Sequence, residues 1–278
     1  MASKKPVIFA ITSDHHCGSV VGLCPPEGVR ITDDNEYRPG KVQKWIWEKW
    51  ESYWKDVADR RKHWGADLYC AYNGDCVEGT DHHNTWEVIS RAPEPQAYVA
   101  ERVFGVPAEP TKVFVIRGTE THVGQGAASE EHLAKKLKAQ RFPGSKAWSH
   151  YRLRMEVHGV RFDFQHHGRT GTRPWTKTSA PGALALEIFY EHAARDIPYP
   201  HLAIRSHRHT YADSYDAHPS RLIQTPAWQV KTAHAHKVAP ESIADIGGII
   251  VTIMPDGKYE VETKLYCPEL PALWKATA

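Results

Sequence analysis

In the first half of the chain, three short apolar runs each break off at a small polar cluster, and this punctuation constrains the fold more than any other feature. Val7-Ile8-Phe9-Ala10-Ile11 ends in Thr12-Ser13-Asp14, residues 67–72 end in Asn73-Gly74-Asp75, and Lys112–Ile116 ends in Arg117-Gly118. Between them lie two stretches with helical periodicity. Lys41–Trp64 carries Trp47, Trp50, Trp54, Val57 and Arg61 at three- and four-residue steps, and residues 95–104 form the second. Strand, helix, strand, helix, strand implies parallel strands joined by crossover helices. In such sheets, ligand sites lie beyond the carboxyl ends of the strands. The tryptophan stripe reads as core packing against the sheet rather than a groove for a partner.

The second half changes character. Residues 129–140 read as a helix with Ser129 as its N-cap, followed by Glu130 and Glu131. Leu153, Met155 and Val157 alternate with charged residues, His158-Gly159 turns the chain, and Val160, Phe162 and Phe164 alternate again, as in a hairpin with one apolar face. Residues 181–195 are helical in pattern, and strand-like runs follow at 201–206, Arg221–Gln224 and 248–254. A turn at Pro255-Asp256-Gly257 leads into a last strand over 258–266. No internal repeat or linker interrupts the chain, so residues 1–278 read as a single α/β domain.

Composition narrows the classes. No apolar run approaches the ~20 residues that cross a membrane, and the opening residues pass straight into a strand without a signal peptide. Cys17, Cys24, Cys70, Cys76 and Cys267 are odd in number and lack CxxC spacing, as expected of free thiols in a reducing cytoplasm. A net charge of +2 is weaker than a dedicated duplex-DNA binder shows. Histidine is the outlier at 18 residues, and imidazole is both a common metal ligand and an acid or base near neutral pH.

Five polar motifs fall at the ends of predicted strands: Asp14-His15-His16; Gly74-Asp75, followed by Glu78; Gly118-Thr119-Glu120-Thr121-His122; His166-His167-Gly168, ending a strand over 161–165; and His207-Arg208-His209. Singly each is weak, since HxH arises easily in a histidine-rich chain and Gly-Asp often marks a turn. Together their carboxylates and imidazoles can converge on one point. Mixed oxygen and nitrogen donors suit Mn, Fe, Zn or Ni better than Ca or Mg, and Asp75 is the natural carboxylate to bridge two ions.

In their order, these motifs resemble those of the calcineurin-like metallophosphoesterases, particularly the compact phage and prophage versions. The resemblance runs from Val7 to Tyr266 and is stronger for the first, second and fifth motifs than for the third and fourth. It implies two packed mixed β-sheets flanked by helices, in a four-layer sandwich, and two divalent metal ions. Asp14, His16 and His209 would hold the first ion, and Asp75 would bridge both. His207 and a histidine of the fourth motif would hold the second; His167 is favoured because it directly precedes Gly168, with His166 as the alternative. The third motif departs from the family's Gly-Asn-His: aligned on Gly118, Thr119 and Glu120 replace Asn and His, whereas alignment on His122 puts Thr121 at the Asn position. His122 is the candidate general acid. In the fifth motif Ser206 stands where the family has Gly.

Around these motifs, His82 and His83, with Asp81 and Asn84, could line a substrate pocket or a solvated loop. Arg117, Arg169 and Arg173 flank motif loops and could grip phosphate in bidentate fashion, although any one arginine is more often an ordinary surface charge. His15 should point away from the ions, and His234 and His236 match no family motif and read as loop residues. The function expected is hydrolysis of a phosphate ester. Two ions roughly 3.5–4 Å apart would activate a bridging hydroxide for in-line attack. A diester or nucleotide-type substrate is what the resemblance favours. The rivals are a nuclease acting on DNA or RNA, which would need a basic, aromatic-lined groove, and a binding or structural protein with a degenerate metal site. No membrane partner is expected, and the sequence favours no particular oligomer.

Overall fold

The computed structural model describes residues 4–80, 86–107, 109–169, 171 and 176–268. In chain order the elements are β1 (Val7–Thr12), β2 (Val29–Thr32), β3 (Asn35–Tyr37), α1 (Lys41–Trp64), β4 (Asp67–Asn73), α2 (Pro93–Phe104), β5 (Lys112–Ile116), α3 (Glu120–Val123), α4 (Ala128–Lys136) and β6 (Ser149–His150). There follow β7 (Leu153–Val157), β8 (Val160–His167), α5 (Ser179–Ala193), β9 (Leu202–Ser206), β10 (Ala212–Asp213), β11 (Arg221–Gln224), α6 (Ala233–Val238), β12 (Ile246–Ile253) and β13 (Tyr259–Tyr266).

The strands form two mixed sheets and a small β2–β3 hairpin. One sheet runs β13-β12-β1-β4-β5-β6, with β1, β4, β5 and β6 parallel and β12 antiparallel to β1. The other runs β10-β11-β9-β8-β7, with β8, β9 and β11 parallel and β7 and β10 antiparallel at its edges. The helical crossovers α1 and α2 lead from β1 to β4 and from β4 to β5, so these three strands end on the same side.

Strand β1 is buried on both faces, as a central parallel strand must be. Its period of two sends Val7, Phe9 and Ile11 into the layer between the sheets, and Ile8 and Ala10 toward the helices. Phe9 meets Phe162 and Phe164 of β8 at ring-centroid distances of 5.2 and 5.5 Å. Fully burying such a ring contributes about 1.5–3 kcal/mol. On the outer face of the six-stranded sheet, Trp47, Trp50 and Trp54 of α1 pack with Val99, Val103 and Phe104 of α2, so the tryptophan stripe is core. Ala185 and Ile188 of α5 cover Ala203 and Leu222 on the outer face of the second sheet. Helices, sheet, sheet, helix is the layering that the resemblance implied.

Several boundaries differ from the sequence reading. Helix α2 begins at Pro93, where a first-turn proline loses no hydrogen bond. Helix α4 stops at Lys136, just before Lys138 takes a φ of 51°, and its N-cap is Ala127 rather than Ser129, which lies inside the helix. Helix α5 spans Ser179–Ala193, and His234 and His236 lie on the short α6 rather than in a loop. Strand β8 continues to His167, so both histidines of the fourth motif lie within the strand and only Gly168 lies beyond it. No described helix is long and apolar enough to cross a membrane, and the five cysteines form no disulfide.

Candidate metal centre

Asp14 and His16 follow β1, Asp75 follows β4, and His207 and His209 follow β9. All five stand in the left-handed backbone region, with φ between 46° and 75°. Residues with side chains rarely hold it, at a cost of about 1–3 kcal/mol each. Such strain persists where surrounding contacts over-determine it, and here the loops are stitched together. The Asp14 amide donates to the Gly74 carbonyl and the His16 amide to that of Asp75, both at 3.0 Å. Two glycines permit the close approach: a side chain on Gly74 would collide with the His166 ring, and one on Gly118 with Asp75.

The donors gather into adjoining groups. In the first, His16 Nε2 lies 3.2 Å from His209 Nε2, which lies 3.4 Å from Asp14 Oδ1. In the second, His166 Nε2 is 2.9 Å from Asp75 Oδ2, and His207 Nδ1 is 4.0 Å from the same oxygen. The groups touch where His166 Nε2 comes within 3.9 Å of Asp14 Oδ1. Thr119 Oγ1 sits in the second group, 3.2 Å from Asp75 Oδ2 and 3.1 Å from His207 Nδ1, while its amide donates to Asp75 Oδ1 at 2.6 Å.

The chemistry of this donor set fits divalent cations. Asp14 Oδ1 is buried and accepts no hydrogen bond among the described residues, a costly state for a carboxylate oxygen unless a cation faces it. Its partner oxygen, Oδ2, is held by Ser13 Oγ at 2.6 Å and the His207 amide at 3.2 Å. Burial would push the Asp14 and Asp75 carboxyls up, but neighbouring His209 and His166 outweigh it and hold both well below the ordinary 3.8. Burial likewise pushes His166 down, yet the charge and hydrogen bond of Asp75, with the charge of Asp14, raise it to about 10. Its Nδ1 donates to the Asn73 carbonyl at 2.7 Å, so Nε2 is the nitrogen that a cation would meet on displacing its proton. Nitrogen and oxygen donors together suit Mn, Fe, Zn or Ni.

Behind the first group, Glu78 Oε2 lies 2.8 Å from His16 Nδ1 and accepts from Gln229 Nε2 at 3.1 Å. This fixes which His16 nitrogen turns toward Asp14 and His209. His122, on α3, donates from Nδ1 to the Glu78 carbonyl at 2.8 Å, and its ring lies 4.6 Å from that of His16. Behind the second group, the buried Glu130 accepts from the Gly118 amide at 2.7 Å and the Cys76 amide at 3.2 Å, joining the loops of Thr119 and Asp75. Burial and the charge of Asp75 push its carboxyl up to about 7.

Not every sequence candidate comes to this centre. The fourth-motif residue brought to Asp75 is His166 rather than His167: His166 shares the inward face of β8 with Phe162 and Phe164, whereas His167 is exposed, 4.8 Å from the His207 ring between centroids. In the third motif, Thr119 is the residue inside; Glu120 and Thr121 are exposed on α3. Arg117 binds Ser149 Oγ at 3.0 Å and covers the Tyr151 ring, and Arg169 pairs with Glu187 at 2.7 Å, so neither reaches the donor groups. His15 faces away, its ring buried among Trp50, Tyr72 and Phe104, and burial lowers it to about 3. His82 and His83, with Asp81, Asn84 and Arg173, lie outside the described residues. Sequence spacing assigns no role to Glu78 or Glu130: Glu78 stands three residues after Asp75, and Glu130 reads as an ordinary first-turn acid.

No protein-family model and no curated protein sequence matches this chain. Among solved structures it is similar to Vps29 of Entamoeba histolytica complexed with Zn2+, at 10% identity and TM-score 0.38, over 93% of this chain and 98% of that one. A hypothetical protein of Pyrococcus horikoshii matches at 9% identity and TM-score 0.42, over 92% and 87%. A 5'-nucleotidase of Candida albicans matches at 10% identity and TM-score 0.41, over 94% of this chain and 51% of that one. These are distant likenesses of shape and say nothing about chemistry here.

Proposed function

We propose that the chain is a metallophosphoesterase: a metal-dependent hydrolase of phosphate esters that holds two divalent ions. The observation that carries this reading is the convergence of Asp14, His16, Asp75, His166, His207 and His209 into two adjoining groups, with Asp14 Oδ1 buried and accepting no hydrogen bond. Asp14, His16 and His209 would hold one ion, and His166, His207 and the Thr119 hydroxyl the other. Asp75, held in the second group, would serve both ions. When bound, such ions supply Lewis-acid polarisation of the phosphoryl oxygens and an acidified water.

The chain's own residues do the rest. Asp14 and Asp75, kept ionised by the neighbouring histidines, are the carboxylates that would hold the cations. The Glu78 carboxylate, 2.8 Å from His16 Nδ1, favours the proton on that nitrogen. His122 commits Nδ1 to the Glu78 carbonyl, so Nε2 is the atom that would pass a proton to the leaving oxygen. A phosphodiester or nucleotide-type ester is the substrate class this reading favours.

The test is turnover of a generic aryl phosphodiester by metal-free protein titrated with Mn, Fe, Zn or Ni. Metal-dependent hydrolysis is expected, and Asp75→Asn should reduce it by at least about a thousandfold while circular dichroism stays unchanged. Absence of turnover with all four metals would sink the proposal. Undiminished turnover in the Asn variant would remove Asp75 from its assigned place.

A further inference from the structure

The metal centre shares a wall with an open-mouthed cavity of about 450 Å3 between α2 and α4. That wall is built from His122 and Gly79. His122 lines the cavity while its ring lies 4.6 Å from that of His16. The buried Gln96 side chain clamps Gly79 from both sides, accepting from its amide at 2.9 Å and donating to its carbonyl at 3.1 Å. Gly79 itself packs so closely on the His122 backbone that no side chain would fit there. The cavity is therefore pre-formed beside His122 by groups already hydrogen-bonded, and its volume falls in the roughly 300–1,000 Å3 range of small-molecule sites.

Its lining limits what it can hold. Val77, Ala97, Ala100, Ala128 and Leu133 supply apolar surface from three segments. The described lining residues include no arginine, and the one lysine, Lys136, is paired with Glu101. Glu94 adds a further acid, so with His122 and His132 neutral the formal balance of the described lining is negative. A second phosphate, a diphosphate or a nucleic-acid backbone would meet net repulsion here. An uncharged, largely apolar group would exchange water for aliphatic wall.

Resting on the phosphoesterase reading, we infer that this cavity receives the leaving-group side of the substrate, and that the alcohol released is neutral and largely apolar. An ester whose phosphorus sits at the two donor groups would place its bridging oxygen beside His122, the residue assigned to protonate it, and project the attached organic group into the cavity. Aryl alcohols and nucleosides share this chemistry; polyphosphates and oligonucleotide chains do not.

Non-hydrolysable phosphonates test the cavity separately from turnover. Calorimetric titration of the Mn-loaded protein compares methylphosphonate, naphthylmethylphosphonate and a nucleoside 5'-phosphonate. At least one of the two larger ligands should bind about tenfold tighter than methylphosphonate, and which one does so separates aryl from nucleoside. Ala97→Phe, filling the cavity from α2, should abolish that ratio, and Ala128→Phe should do so independently from the exposed start of α4. Equal wild-type affinities for all three ligands, or a ratio that survives both substitutions, would overturn the inference. Binding of none of them would overturn it together with the phosphoesterase reading. A cavity-dependent ratio in a protein without metal-dependent turnover would refute hydrolysis alone.

Discussion

His166 and His167 are neighbours in sequence and opposites in environment. His166 is buried like the inward Phe162 and Phe164 before it, while His167 turns outward past a bulge that shifts the β8–β9 register between Phe164 and His167. His166→Ala should therefore remove one of two bound ions, seen as a fall in metal stoichiometry by elemental analysis, whereas His167→Ala should retain both. The reverse result would restore His167 as the ligand. This also marks how far the residue scale is legible in sequence. Asp14, His16, Asp75, His207 and His209 are recognisable because each directly follows an apolar run. The choice between two adjacent histidines needed the register of β8, and the place of Thr119 needed the distance from its hydroxyl to His207. Glu78 and Glu130 act through contacts between loops distant in sequence, which no local spacing encodes.

At the scale of elements, β8 and β9 must keep a fixed register if His166 and His207 are to meet. A buried ion pair fastens them. Arg205 of β9 donates through Nη2 to Asp163 Oδ2 at 2.8 Å and through Nη1 to the Asp163 carbonyl at 2.9 Å, while Arg152 reaches Oδ1 at 2.6 Å. Asp163→Asn would leave Arg205 buried with its charge uncompensated, and loss of one partner of such a pair costs about 3–5 kcal/mol. Denaturant titration should show that loss. Burial raises the Asp163 carboxyl, but Arg205 and Arg152 outweigh it and hold its pKa below the ordinary 3.8. A carboxyl whose folded pKa is depressed adds stability that is complete above its unfolded value and fades as pH falls toward the folded one. The variant should accordingly lose its deficit relative to wild type on acidification below about pH 4; a deficit constant with pH would show that Asp163 acts by shape alone. Strands such as β1, β4 and β5 were plain in the sequence because buried parallel strands are apolar throughout. The β2–β3 hairpin and the two-residue β6 and β10 were not, being too short for any periodicity to register.

At the scale of the whole molecule, two sheets meet across an apolar layer that ends in a polar seam. Asn73 Nδ2 donates to Ser206 Oγ at 2.6 Å and to the Gln165 carbonyl at 3.0 Å, and Ser13 Oγ meets Thr225 Oγ1 at 2.6 Å, each contact joining one sheet's strand ends to the other's. The donor groups straddle the same seam: Asp14 and Asp75 come from the six-stranded sheet, and His166, His207 and His209 from the five-stranded one. A cation held by both sides cross-links the sheets, and an unfolded chain offers no such assembled site. Binding to the folded state alone contributes about 2.7 kcal/mol per site at a metal concentration 100 times the Kd. For a chain of this size each site should raise the unfolding midpoint by roughly 5 °C. Thermal scans of chelator-treated protein before and after addition of Mn or Zn measure it directly. Asp75→Asn should lose most of the gain if, as proposed, Asp75 serves both ions. A midpoint unmoved by metal would mean that the seam closes through its hydrogen bonds alone and that these donors hold no ion across it; one moved equally in the Asn variant would remove Asp75 from the ligands.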